Sequence, residues 1–170
     1  MEGLFKEMET KVLDSSLTIS DSFYEGNEVS QKMGRILKTI INVLRSNPNK
    51  YDKLRGELEA PYEKMSRVHN KYYQKLGGKL GSGEYIAKDV EEIDDEEFMK
   101  TFDGVSAHAL TSLQISIGGL NKLMESPFPD SNKFADRVRF AHWITLLSVY
   151  NENDRNNVIK IISKYDVNMS

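Results

Sequence analysis

Apolar residues along the chain recur at steps of three and four, with no sustained alternation of period two. The pattern predicts an all-α protein, a helical bundle of about six helices with two long N-terminal helices and a compact C-terminal helical group. The first helix is expected over 4–24, where Leu4, Met8, Val12 and Phe23 lie near one stripe that Ser15, Ser16 and Thr18 weaken. Gly26 and Asn27 supply a break and a cap, after which Val29, Met33, Ile36, Leu37, Ile40 and Leu44 define a second helix. Asn47-Pro48 restarts the pattern, since Asn can accept from the orphan amides of the next turn and Pro at the first helical position sacrifices no bond. A third, longer row then runs through Tyr51, Leu54, Leu58, Tyr62, Met65, Tyr72 and Leu76. Pro61 lies within it and predicts a kink or two collinear helices near Ala60.

Glycines 77, 78, 81 and 83 end this row and predict a hinge over 77–83. An acidic stretch follows, in which Asp94 and Glu97 have capping-box spacing for a short helix reaching Phe102, with Gly104 as punctuation. Leu110, Leu113, Ile117, Leu120 and Met124 form the next seam, where Gly118-Gly119 is expected to thin the helix for a close crossing or to break it. Pro127 and Pro129 close that helix, and Asp130 or Ser131 can cap one reaching Tyr150. Phe134, Val138, Phe140, Ala141, Trp143, Ile144, Leu146, Leu147 and Val149 cover too many faces for one-sided burial, so this helix is expected at the centre of the C-terminal core. Val158, Ile159, Ile162 and Tyr165 mark a last short helix. The implied division is 1–76 with long helices and a basic face, 77–83 as hinge, and 84–170 as acidic linker helix plus helical core. A single domain overall is the alternative.

The 170 residues include no cysteine, which excludes disulfides, thiolate metal sites and cysteine nucleophiles. A net charge of −3 points to no partner by itself. The segments differ sharply, however. Residues 1–28 carry 2 basic and 7 acidic side chains, 29–83 carry 12 and 4, 84–103 carry 2 and 9, and 104–170 carry 7 and 6. Arg35, Lys38 and Arg45 lie opposite the apolar row of the second helix, and Lys64, Arg67, Lys71 and Lys75 form a similar ridge on the third. Together they are a candidate anion or nucleic-acid face, with Tyr51, His69 or Tyr73 available to stack on bases. The acidic run over 89–97 could instead fold back and mask it.

Catalytic constellations are sparse. His69, His108 and His142 show none of the spacings that set two metal ligands on one helix face, and the acidic run lacks EF-hand spacing. Ser82 between two glycines lacks the nucleophile-elbow pattern, and Gly78-Lys79 lacks the rest of a phosphate-binding loop. Arg137 and Arg139 beside His142 and Trp143 suggest an anion or cation–π site, against the structural reading of arginines that snorkel and pair with Asp130 or Asp136. No catalytic residue, cofactor or metal is therefore expected. The window 105–124 contains His108, Gln114, Asn121 and Lys122, which fits a packed helix better than a transmembrane segment. The first residues lack the apolar run of a signal peptide, so a cytoplasmic or otherwise intracellular location is expected.

These readings converge on a non-catalytic helical assembly or adaptor protein that acts by protein–protein interaction or self-association. Its expected partner-helix face is Tyr51, Leu54, Leu58, Tyr62, Met65, Tyr72 and Leu76. The alternative is an accessory nucleic-acid-binding protein using the basic face of residues 32–79.

Overall fold

The computed structural model describes residues 2–80, 100, 102–127 and 129–165. Among them are six α-helices and no strand: α1 (Glu2–Phe23), α2 (Glu28–Ser46), α3 (Pro48–Leu80), α4 (Ala107–Met124), α5 (Pro129–Leu147) and α6 (Glu152–Ile162), the last followed by a 3-10 turn (Ser163–Tyr165). The all-α bundle expected from the periodicity is the observed fold.

Caps form at Asn27 and Asn47 as the sequence places them, and Asn151 supplies one that the spacing did not mark. Asn27 Oδ1 accepts from the Ser30 amide at 3.2 Å, Asn47 Oδ1 from the Lys50 amide at 3.1 Å and Asn151 Oδ1 from the Asp154 amide at 3.0 Å. Asn27 also ties the start of α2 to the loop before α4: its amide donates to the Gly104 carbonyl at 2.9 Å, and its Nδ2 to the Asp103 carbonyl at 3.0 Å. Gly104 adopts φ +78°, and a Cβ there would lie 1.9 Å from Asn27 Nδ2, so glycine is required on both counts.

Helix α5 is central. It packs against α1, α2, α3 and α4, while α6 packs against α2 and α3. Over positions 140–149 every residue but Trp143 is buried. One apolar core contains residues of all six helices, from Leu13 and Phe23 of α1 to Val158 and Ile162 of α6. The core of α5 is thus shared with the N-terminal helices and is not confined to the C-terminal part.

Four local expectations are corrected. The buried line of α1 runs through Leu13, Ser16, Ile19, Ser20 and Phe23, while Met8 and Val12 are only half-buried. The serines belong to that line because small side chains let helices approach closely. A Cβ on Gly34 of α2 would lie only 2.7 Å from the Ser20 carbonyl oxygen. Secondly, α3 runs unbroken through Pro61, so a division into two helices does not occur. The lost bond, about 3 kcal/mol in an isolated helix, is offset by the burial of Leu58 and Met65 on either side. Thirdly, Gly118 and Gly119 neither break α4 nor admit a neighbour; both face open space on its exposed side. Lastly, α5 starts at Pro129, ahead of both expected caps, with proline in the first position where its missing N–H is harmless.

Helix α3 continues through Gly77 and Gly78 to Leu80. Residues 81–83 of the expected hinge, the acidic run over 89–97 and nearly all of the short helix expected up to Phe102 lie outside the described residues.

Glycines of the same helical class should respond oppositely to alanine. Gly34→Ala should lower the unfolding free energy by about 1–3 kcal/mol through overpacking, and Gly118→Ala should raise it by about 0.5–1 kcal/mol through helix propensity. Urea unfolding followed by circular dichroism measures both; changes of the same sign would contradict the α1–α2 contact described here.

Candidate functional site

The basic residues anticipated as one anion face are distributed by α6, which packs against both helices that carry them. Arg35 Nη2 donates to Ser163 Oγ at 3.1 Å, and Lys64 Nζ lies 3.0 Å from Asp154 Oδ1 on α6. Lys38 turns the other way, 3.9 Å from Asp21 on α1. Arg45 and Arg67 are exposed, and the side chains of Lys71 and Lys75 lie outside the described ones. Asp154 is only 5% exposed, so Lys64 supplies its compensating charge, and reversing Lys64 would set two carboxylates together in a poorly solvated place.

The anticipated partner-helix face is largely used by the fold itself. Tyr51, Leu54, Leu58 and Met65 have no accessible surface. Tyr51 donates its phenol proton to the Arg137 carbonyl at 2.9 Å, and burial pushes its pKa up. Tyr62 is half-buried, with its ring 5.0 Å from that of Phe140. These residues form the seam of α3 against the core, so through Met65 this row is not offered to a partner. Tyr72 and Leu76 continue it in sequence, with side chains outside the described ones.

The cluster Arg137, Arg139, His142 and Trp143 is split four ways by helical geometry. Arg137 reaches Asp52 at 3.3 Å and lies over the Tyr51 ring at 5.8 Å. Arg139 Nη1 donates to Asn121 Oδ1 at 3.1 Å, and its Nη2 stands 3.7 Å from Asp136. His142 points inward to α1. Trp143 points outward, into a groove between α3 and α5.

This groove consists of two adjoining depressions of about 280 and 420 Å³ that share Tyr62, Arg139 and Trp143. The first is completed by Arg55, Glu59, Glu63, Asp136 and Phe140, the second by Ser66, His69 and Asn70. Aromatic rings support it from below: His69 meets Trp143 edge-on at 5.3 Å and Tyr150 at 5.3 Å, and Phe102 meets Tyr150 edge-on at 5.9 Å. His69 Nδ1 and the Tyr150 hydroxyl share a 2.9 Å hydrogen bond, and burial lowers the His69 pKa, so the ring is neutral at pH 7. At one end Arg55 closes the groove, its Nη1 2.7 Å from Asp136 Oδ2 and its guanidinium 4.6 Å from the Phe140 ring centroid. Its lining thus combines aromatic rings with side chains of both charges. Among the described residues no group of three or more His, Asp or Glu side chains is arranged to hold a metal ion, and no helix is long and apolar enough to cross a membrane.

Sequence reasoning did not single out this groove as a site. The available signal was the outward position of Trp143 on an otherwise buried helix, together with Tyr62, Ser66 and His69 at spacings of four and three on α3. It also missed the pairing of His142 with Ser16. Ser16 Oγ donates its proton to the Val12 carbonyl at 3.1 Å, so at 2.8 Å it accepts from His142 Nε2–H. His142 Nδ1 is then a buried acceptor without a partner, and the ring is fully enclosed. Comparison with protein-family models, curated proteins and solved structures found no match.

Burial lowers the His142 pKa to about 4, from 6.5 when exposed. Between these values the unfolded chain binds more protons than the folded one, so stability is greatest above pH 6.5 and falls with pH until about pH 4. The expected loss from this group is about 2 kcal/mol by pH 5. Urea unfolding at pH 7 and pH 5 should show that loss in the wild type, with His142→Gln much less sensitive; equal pH dependence in both would contradict a buried neutral imidazole.

Proposed function

We propose that the protein is a non-catalytic helical adaptor that docks a segment of a protein partner in the groove between α3 and α5. The observation that carries this reading is the single interruption in the burial of positions 140–149. Trp143, the chain's only tryptophan, reaches the surface there, at the floor of that groove. Tryptophan and tyrosine in partly covered, aromatic-floored depressions are typical anchors of protein interfaces. The mixed charge of the rim suits a polypeptide, which offers both polar and apolar groups.

Two further features support a binding role. His142 and Ser16 are enclosed and bonded to each other, and the Tyr165 hydroxyl donates to Glu57 at the edge of the core, so these reactive groups serve the fold. The burial of Tyr51, Leu54, Leu58 and Met65 withdraws that row from a partner, whereas Tyr62 and Trp143 line the groove. The nucleic-acid alternative has less support, since Arg35, Lys38 and Lys64 are engaged with different elements.

Selection of a random peptide display library on the immobilised protein tests this reading. Ser66 lines the second depression, so Ser66→Trp fills it while leaving the enclosed core untouched. The expected outcome is a convergent peptide family whose binding is lost on Ser66→Trp in a variant of unchanged circular dichroism. Binders indifferent to Ser66→Trp, a selection that does not converge, or salt-sensitive co-elution with an oligonucleotide would overturn it.

A further inference from the structure

The groove has an internal precedent for what it accepts. In the first depression a guanidinium lies over an aromatic ring while a carboxylate holds it: Arg55 is 4.6 Å from the Phe140 centroid and 2.7 Å from Asp136. Further aromatic and acidic side chains line the same depression, with Arg139 beside them. Trp143 and Tyr62 supply aromatic surface, and Glu59 and Glu63 supply carboxylates one helical turn apart on α3, lining the same depression.

Among the described residues no ion pair engages Glu59 or Glu63, although Arg55 and Arg67 stand at helical spacing from them. Two like charges at this spacing repel, and a cation from outside relieves that repulsion. The arginines already present do not meet this demand, because Arg55 is held by Asp136 and Arg139 by Asp136 and Asn121. The neutral His69 adds no opposing charge at the far end.

We infer that the partner segment is basic and inserts an arginine side chain between Glu59, Glu63 and the Trp143–Tyr62 surface. Arginine suits the place because its planar guanidinium stacks on aromatic rings while donating to carboxylates at its edge. The adjoining depression of about 420 Å³, reaching Ser66, His69 and Asn70, accommodates residues flanking that arginine. This inference rests on the docking reading above and specifies its chemistry.

The test uses the full chain and the fluorescence of Trp143, its single tryptophan. The probe is an acetylated and amidated decapeptide of leucine and alanine with two arginines four residues apart; a counterpart carries glutamates at the same positions. The arginine peptide should change the fluorescence saturably, the glutamate peptide should not, and Glu59→Gln with Glu63→Gln should weaken the arginine peptide about tenfold. The double change Glu59→Arg with Glu63→Arg should transfer the preference to the glutamate peptide. Equal binding of both peptides, or an arginine peptide indifferent to the glutamine changes, would overturn the cationic partner and leave the groove as a docking site. No fluorescence response to either peptide would overturn both.

Discussion

From Phe140 onward helix α5 is apolar on nearly every side, and the need to remove those faces from water organises the molecule. A helix with one apolar stripe is satisfied by a single neighbour, whereas this one requires several. Helices α1, α2, α3 and α4 meet it from different directions, and each residue so covered contributes about 1.5–3 kcal/mol when it is a large aliphatic or aromatic side chain. Enclosure at this density brings helices close together, which accounts for Gly34 and the small serines of α1 at their crossing. It also explains how a histidine comes to lie in the core. With nearly every residue of α5 from Phe140 onward covered, His142 faces a neighbour, and it finds Ser16.

Much of this organisation was legible in the sequence because it depends on periodicity and on local caps. The rows of α2 and α3, the caps at Asn27 and Asn47 and the apolar run of α5 from Phe140 are properties of neighbouring residues, so spacing reveals them. What depends on the approach of distant segments was not legible. Ser16 reads as a polar interruption until α5 is seen beside it, and Gly118 reads as a crossing point until α4 is seen to turn it outward. The row from Tyr51 reads as available to another chain because its length exceeds that of any adjacent helix in sequence. In three dimensions α2, α5 and α6 pack on α3, and Tyr51 bonds to Arg137, 86 positions further along.

The same principle explains the difference between the anticipated site and the candidate groove. Lysines and arginines on α2 and α3 look like a single ridge when two helices are considered alone. The last helix then packs on both, and Arg35 and Lys64 become its tethers. The groove arises at the boundary of two tertiary demands. Helix α3 buries Tyr51, Leu54, Leu58 and Met65 in the core it shares with α2, α5 and α6, and beside Tyr62 Trp143 stays partly open. The docking site proposed above thereby falls where Arg139 and Trp143 leave the second half of α5 partly open, beside carboxylates from α3.

Residue-resolved native-state hydrogen exchange tests the central claim, that one core encloses α5 and draws on all six helices. The account predicts that amides over 138–147 exchange slowest, only through global unfolding, and share their protection free energy with the buried turns of α2 and α3. Opening of α4, α5 and α6 as a separate unit, while α2 and α3 stay protected, would contradict it.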